Sequence, residues 1–233
     1  MLECLRLAAL REAGSSLDSN GRRPGFARYE RYNGRHRSYA VVRLCRDPTV
    51  YDREALKSLI RQRALLFGDF TLASGKKAAY YLDGKQVTLD SVGAKLVGEG
   101  LLELLGTPLP QAVGGMAIGA DPITAAVVTL AGVHGLALKG FMVRKETKGR
   151  GTDKYIEGPV EPSMHVVIVE DVVTTGGSSI TAIDRCVEFG LIVDGVLTII
   201  DREQGGKKNF ADHGYELRSL FSIRDFGIEP PPE

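Results

Sequence analysis

Glu170 and Asp171 stand side by side just ahead of a turn that reads Thr174-Thr175-Gly176-Gly177-Ser178. Adjacent carboxylates can accept hydrogen bonds from hydroxyls or face a cation. A hydroxyl- and glycine-rich turn at the start of a helix offers donors beside the positive end of the helix dipole, which suits a phosphate. Two carboxylates next to such a cradle would repel a bare anion, so the ligand that satisfies both halves brings hydroxyls or a metal cation with its phosphate. A sugar phosphate does so. The turn has neither the Gly-Lys-Ser ending of a P-loop nor the spaced glycines of a dinucleotide fingerprint. Taken alone, a Thr-Gly-Gly stretch more often only caps a helix. The acid pair and the strand in front of it favour the binding role.

A strand must deliver these groups. Val166 to Val169 form a continuous β-branched run, as expected of a parallel strand covered on both faces. This predicts Glu170 and Asp171 at its C-terminal end, where open α/β sheets bind ligands, and a helix from about Ser178 to Phe189. A second cluster follows an apolar strand at 138–143: Arg144, Lys145, Lys148, Arg150 and Lys154 are interspersed with Gly and Thr and with no apolar residue. Such a run cannot pack into a core and reads as an exposed loop, either a solvated charge run or a set of anion contacts.

The remaining pattern alternates helix and strand. Asp52 opens a helix carrying Leu56, Leu59, Ile60 and Phe67, which Gly68 closes. Short β segments at Phe70–Ser74 and Ala79–Leu82 flank a turn at 74–77, and Ser91–Leu105 is a second amphipathic helix ending at Gly106. A strand at Ala112–Gly114, a helix after Asp121-Pro122 and a strand at Val193–Ile200 complete the series. The expected class is α/β, with a mainly parallel sheet flanked by helices.

Composition sets the outer bounds. With 43% hydrophobic and 25% charged residues, the 233-residue chain has globular proportions, and no apolar run approaches the ~20 residues of a membrane span. Cys4, Cys45 and Cys186 are too scattered for a disulfide framework or a zinc site, which predicts a reducing, cytoplasmic setting. Cys186 reads as a small core residue.

Charge is uneven. Residues 1–50 carry ten Arg and no Lys against five acids, whereas the rest carries 20 basic and 24 acidic residues. Residues 13–48 show no sustained period, and residues 1–48 read as a poorly ordered basic extension ahead of a domain at 49–233. Its start lacks the basic n-region and cleavage site of a secretory signal. A transit peptide, against which the five acids argue, an RNA-contacting segment and a true start near Tyr51 remain alternatives for it.

The segment Val166-Val167-Ile168-Val169-Glu170-Asp171-Val172-Val173-Thr174-Thr175-Gly176-Gly177-Ser178 resembles the phosphoribosyl diphosphate (PRPP) signature of the type I phosphoribosyltransferases. The resemblance implies that Glu170 and Asp171 hold the ribose 2′ and 3′ hydroxyls. Thr174, Thr175, Gly176, Gly177 and Ser178 would then hold the 5′-phosphate, with Val172 and Val173 as part of the binding segment. Arg144-Lys145-Glu146-Thr147-Lys148 is similar to the catalytic loop of the orotate phosphoribosyltransferases. Phe67–Lys77 with Tyr80-Tyr81 looks like the small N-terminal hood of that family, here 67–85, and Asp201-Arg202-Glu203 like the segment whose Arg pairs with the orotate carboxylate.

What this implies is transfer of the 5-phosphoribosyl group from PRPP to orotate, with pyrophosphate expelled. Positive charge is needed where that negative charge develops, and a closing loop keeps water from a reactive sugar cation. Lys148, Arg144, Lys145 and Asp171 would be the catalytic group, Arg150 a further PRPP contact, and Thr174 and Arg202 the orotate contacts. Mg²⁺ would arrive on PRPP and not in a protein cage. A homodimer sharing the loop between subunits is implied, with no nucleic acid and no membrane among the partners. Three positions depart from the family: Arg150 replaces a common loop histidine, Ala73 replaces a Lys found in some members, and Gly114–Gly119 keeps its glycines without a Tyr-Lys pair. A purine or uracil phosphoribosyltransferase would share 165–179 without needing Arg202 or the Arg-Lys loop. A PRPP-binding regulator would want a DNA-binding module that the basic extension does not display.

Overall fold

The computed structural model describes residues 51–71, 77–146 and 155–230. The extension 1–48, the hood segment 72–76 and the loop residues 147–154, with Lys148 and Arg150, lie outside them.

Asp52 caps the first helix as its sequence predicts: its carboxylate accepts from the Ala55 N–H at 2.9 Å, and α1 runs Arg53–Arg63. The helix stops short of Phe67, where the apolar spacing had carried it. Leu65–Thr71 is instead a strand, β1, antiparallel to β2 at Lys77–Leu82. Leu65, Leu66 and Phe67 face Leu82, Tyr81 and Tyr80 across that ladder. Cross-strand aromatic and aliphatic pairs outweigh another turn of helix there.

After a short helix α2, Lys85–Thr88, come α3 at Ser91–Leu105, β3 at Ala112–Met116, α4 at Ala120–Val133, β4 at Lys139–Val143 and β5 at Ile156–Glu157. The chain then runs through β6 at His165–Val173, α5 at Gly177–Phe189, β7 at Ile192–Asp201, α6 at Gly206–Asp212 and β8 at Leu217–Ser222, ending in a 3₁₀ turn at Ile223–Phe226. The elements α2, β5, α6 and β8 were not read from the sequence.

Six strands form one sheet in the order β5-β4-β3-β6-β7-β8, parallel except for the β4–β5 pair. From β3 the chain builds outward through β4, and from β6 it builds the other way through β7 and β8. The β3–β6 boundary is therefore the switch point, where open α/β sheets leave a crevice at the strand C-termini.

Both faces are covered. Val167 and Val169 of β6 pack with Leu56, Leu96, Leu101 and Val127 of α1, α3 and α4. Val166 and Ile168 pack on the other side with Ala182, Ile183, Cys186 and Phe210 of α5 and α6. Each such side chain contributes roughly 1.5–3 kcal/mol on burial, which explains the unbroken Val/Ile run. Cys186 is a fully buried free thiol, and burial pushes it up to about 12. Among the described residues no helix is long and apolar enough to cross a membrane.

Candidate active site

Strand β6 continues two residues beyond the acid pair, so Glu170 and Asp171 project from a ladder position and not from a frayed end; Glu170 lies opposite Thr198 of β7. Glu170 is only 6% exposed. Its Oε2 accepts from Ser178 Oγ at 3.1 Å and from Ser179 Oγ at 3.0 Å. Burial, followed by the neighbouring Asp171 charge, raises the Glu170 carboxyl to about 7, against the two serine hydroxyls that favour ionisation. Asp171 is half-buried, and its Oδ1 accepts from the Val172 N–H at 2.8 Å.

Two bare backbones approach the pair. A Cβ on Gly84 would stand 2.9 Å from the Asp171 Cβ, and one on Gly119, beyond the C-terminus of β3, would stand 3.1 Å from Glu170 Oε1. The acids thus face the switch-point crevice between β3 and β6, where a ligand can reach them.

The turn that follows is fixed from behind. Gly176 caps α5 with φ +80°, and a Cβ there would meet the Phe210 ring at 2.8 Å. The Thr174 carbonyl accepts from the Gly206 N–H at 3.1 Å, and the Thr175 carbonyl from Asn209 Nδ2 at 2.8 Å. With these carbonyls turned toward α6, the turn presents the first N–H groups of α5, which by helix geometry lack intrahelical acceptors. Ser178 and Thr175 are exposed there, whereas Val173 is buried in the core and carries the turn from below.

Arg202 leaves β7 beside this turn: its N–H donates to the Val173 carbonyl at 2.9 Å. Its Nε donates to the Tyr80 hydroxyl at 3.0 Å, and its guanidinium lies 4.9 Å from the Tyr80 ring centroid. The bend is held by the buried Asp201, whose Oδ1 accepts from the Glu203 N–H at 2.8 Å, with Glu203 at φ 51°.

Of the basic loop, Arg144 and Lys145 are described. The Arg144 N–H donates to the Tyr155 carbonyl at 2.8 Å, and its Nη1 lies 3.4 Å from Glu157 Oε1. Sequence reading passed over Ser179, the buried second donor to Glu170, and Asn209, the strut behind Thr175. Ser179 had a local signal, a second hydroxyl in the first turn of the helix after the acids; Asn209 had none.

No family model matches the chain. The orotate phosphoribosyltransferase of Rhodopirellula baltica is 55% identical over 185 residues, covering 77% of this chain and 96% of that protein. The chain belongs to the orotate phosphoribosyltransferase family. The Aquifex aeolicus orotate phosphoribosyltransferase is 43% identical over 177 residues, covering 75% of this chain and 97% of that one. In three dimensions the fold matches the crystal structure of Mycobacterium tuberculosis H37Rv orotate phosphoribosyltransferase in complex with PRPP, at a TM-score of 0.66 and 32% identity over 76% of this chain and 99% of that one.

As an orotate phosphoribosyltransferase, the protein is a pentosyltransferase that joins orotate to the 5-phosphoribosyl group of PRPP, giving orotidine 5′-phosphate and pyrophosphate in pyrimidine biosynthesis. The expected fold holds, and the purine, uracil and regulator alternatives fall away with that membership.

Proposed function

We propose the following division of labour for the orotate phosphoribosyltransferase reaction. The single observation that supports it is the backbone bond from Arg202 to Val173, by which Arg202 stands directly beside the turn that follows the acid pair. Glu170 and Asp171 receive the ribose hydroxyls, and Thr174, Thr175, Gly176, Gly177 and Ser178 hold the 5′-phosphate at the N-terminus of α5. Arg202, steadied by Tyr80, binds the orotate carboxylate with Thr174 beside it. Arg144, Lys145, Lys148 and Arg150 neutralise the departing pyrophosphate as positive charge grows on the ribose.

Mg²⁺ fits this arrangement as a passenger on PRPP. Among the described residues no three His, Cys, Asp or Glu side chains converge to hold a metal, whereas Glu170 and Asp171 offer a carboxylate pair facing the ribose position. When bound, the cation supplies charge neutralisation on the diphosphate.

The assembly proposed is a homodimer in which the basic loop serves the neighbouring subunit's site. Exposed Leu89, which caps α2, and Val92, in the first turn of α3, are 73% and 58% accessible and support an apolar contact face. The cytoplasm is the proposed compartment, supported by the sparse cysteines and the buried thiol of Cys186. We place the domain at 49–233, with the hood at 67–85 and residues 1–48 as an extension; the relatives align over 77% or less of the chain.

The test is pyrophosphate release from PRPP with orotate, uracil, hypoxanthine or adenine. Turnover is expected with orotate alone, and with Lys148→Ala it falls on the order of 10²-fold. Turnover with a purine alone, or no turnover with any of the four bases, refutes the assignment.

A further inference from the structure

Arg185 is a cation that the reaction chemistry leaves unused. It sits on α5 about two turns beyond the phosphate turn. Its Nη1 donates to the Arg144 carbonyl, and its Nη2 donates to the Lys145 carbonyl at 3.0 Å. The face of the same guanidinium lies 4.0 Å from the ring centroid of Tyr155, where the chain returns from the loop. One planar group therefore grips the outgoing and returning ends of the basic loop. Between them the neck is closed by the Arg144 N–H to Tyr155 carbonyl bond of 2.8 Å and the Val143–Ile156 pair.

This geometry belongs to arginine. Its rigid fork donates to two successive carbonyls while its face stacks on an aromatic ring, and a Lys ammonium cannot do both. The carbonyls that Arg185 engages belong to Arg144 and Lys145 themselves. At the other end of the same helix is the turn that takes the 5′-phosphate. One rigid rod thus carries both the phosphate turn of its own site and the base of the loop that reaches the neighbouring site.

We propose that Arg185 is a positioning residue for PRPP cleavage: it pins the base of the loop to α5, so that Arg144 and Lys145 reach the neighbouring subunit's diphosphate from a fixed root. The proposal rests on the loop reading given above. A displacement of the loop base by about 1 Å costs up to about 10²-fold in rate, because charge must meet the leaving group where it forms.

The experiment compares steady-state kinetics and thermal unfolding of Arg185→Ala, Arg185→Lys and Lys148→Ala. Arg185→Ala is expected to melt with the parent and to lose roughly 10- to 100-fold in kcat, with the orotate KM changed by less than about twofold. Arg185→Lys, which keeps the charge without the fork, recovers only part of the rate. An unchanged kcat in Arg185→Ala beside a crippled Lys148→Ala overturns the proposal and leaves the loop reading standing. Unchanged turnover in both overturns the loop reading itself. If Arg185→Ala melts early, Arg185→Lys decides: parental kcat, or a rise in orotate KM matching the loss of kcat, marks an ordinary structural role and overturns the proposal.

Discussion

Arg202 and Tyr80 meet twice, through a 3.0 Å hydrogen bond from Nε to the phenol oxygen and through the guanidinium over the ring at 4.9 Å. Tyr80 belongs to β2 of the hairpin, and Arg202 follows β7 of the main sheet, so this pair couples the hairpin to the main sheet. It also takes one donor of a five-donor group, leaving the others for a carboxylate.

Substitutions at this pair separate orientation from charge. Tyr80→Phe keeps the ring and loses the acceptor, which at ~1 kcal/mol raises the orotate KM about fivefold with kcat nearly intact. Arg202→Ala removes a charge-assisted contact and raises it on the order of 10- to 100-fold. Equal KM values for PRPP in all three proteins complete the expected pattern, and a shift in PRPP KM matching that of orotate would place Arg202 on the wrong substrate.

Glu170 makes the ligand-free protein pH-sensitive. Burial lifts its carboxyl from 4.5 to about 7, so the folded state holds its proton more tightly than the unfolded chain. Its contribution to stability is whole below about 4.5 and is lost as pH rises through about 7, a change on the order of 3 kcal/mol. Melting curves from pH 4.5 to 8 should show the parent losing stability relative to Glu170→Gln. PRPP with Mg²⁺ should bind the parent more tightly as pH rises through about 7, because the ionised acid faces the ribose and its cation. Parallel pH curves for the two proteins would remove Glu170 as the titrating group.

Gly176→Ala tests the cradle. A side chain at φ +80° costs roughly 1–2 kcal/mol, and its Cβ would press on the Phe210 ring at 2.8 Å, so denaturant titration should show a loss of about 2–3 kcal/mol. The PRPP KM should rise and the orotate KM should not. An unchanged PRPP KM would mean that the turn does not hold the phosphate.

Mixed dimers test the shared loop. Lys148→Ala and Arg202→Ala are each expected to be nearly inactive at low orotate. Co-refolded in equal amounts, they should regain about a quarter of parental activity, since half the dimers are hybrids with one intact site if the loop acts across the interface. A loop that serves its own subunit would give no recovery.

The placement of the acid pair and the hydroxyl-glycine turn on strand β6 and the start of α5 was legible because those residue types and the β-branched run lie within fifteen successive residues, 165–179. The end of α1 was not. Leu65 and Phe67 extend the apolar spacing of Leu56 and Ile60, and only pairing with Tyr80–Leu82 on the far side of the hairpin makes them a strand. Segments α6 and β8 escaped notice because their polar surface residues mask the buried Phe210, Leu220 and Phe221. The grip of Arg185 on Arg144 and Lys145 spans some forty positions and follows from the packing of α5 beside β4, which no local pattern announces.

The Arg202 N–H to Val173 carbonyl bond uses no side chain, so almost any residue at 202 can form it. On the proposed division of labour, acceptor choice hangs from a fixed point of backbone beside a donor site that it does not build. A different base could therefore be selected by exchanging residue 202 and its partner at 80, while Glu170, Asp171 and the glycine turn stay as they are. On the proposed assignment the acceptor half of the site is a replaceable fitting on a fixed socket, and evolving a new nucleobase preference in this scaffold begins with those two positions.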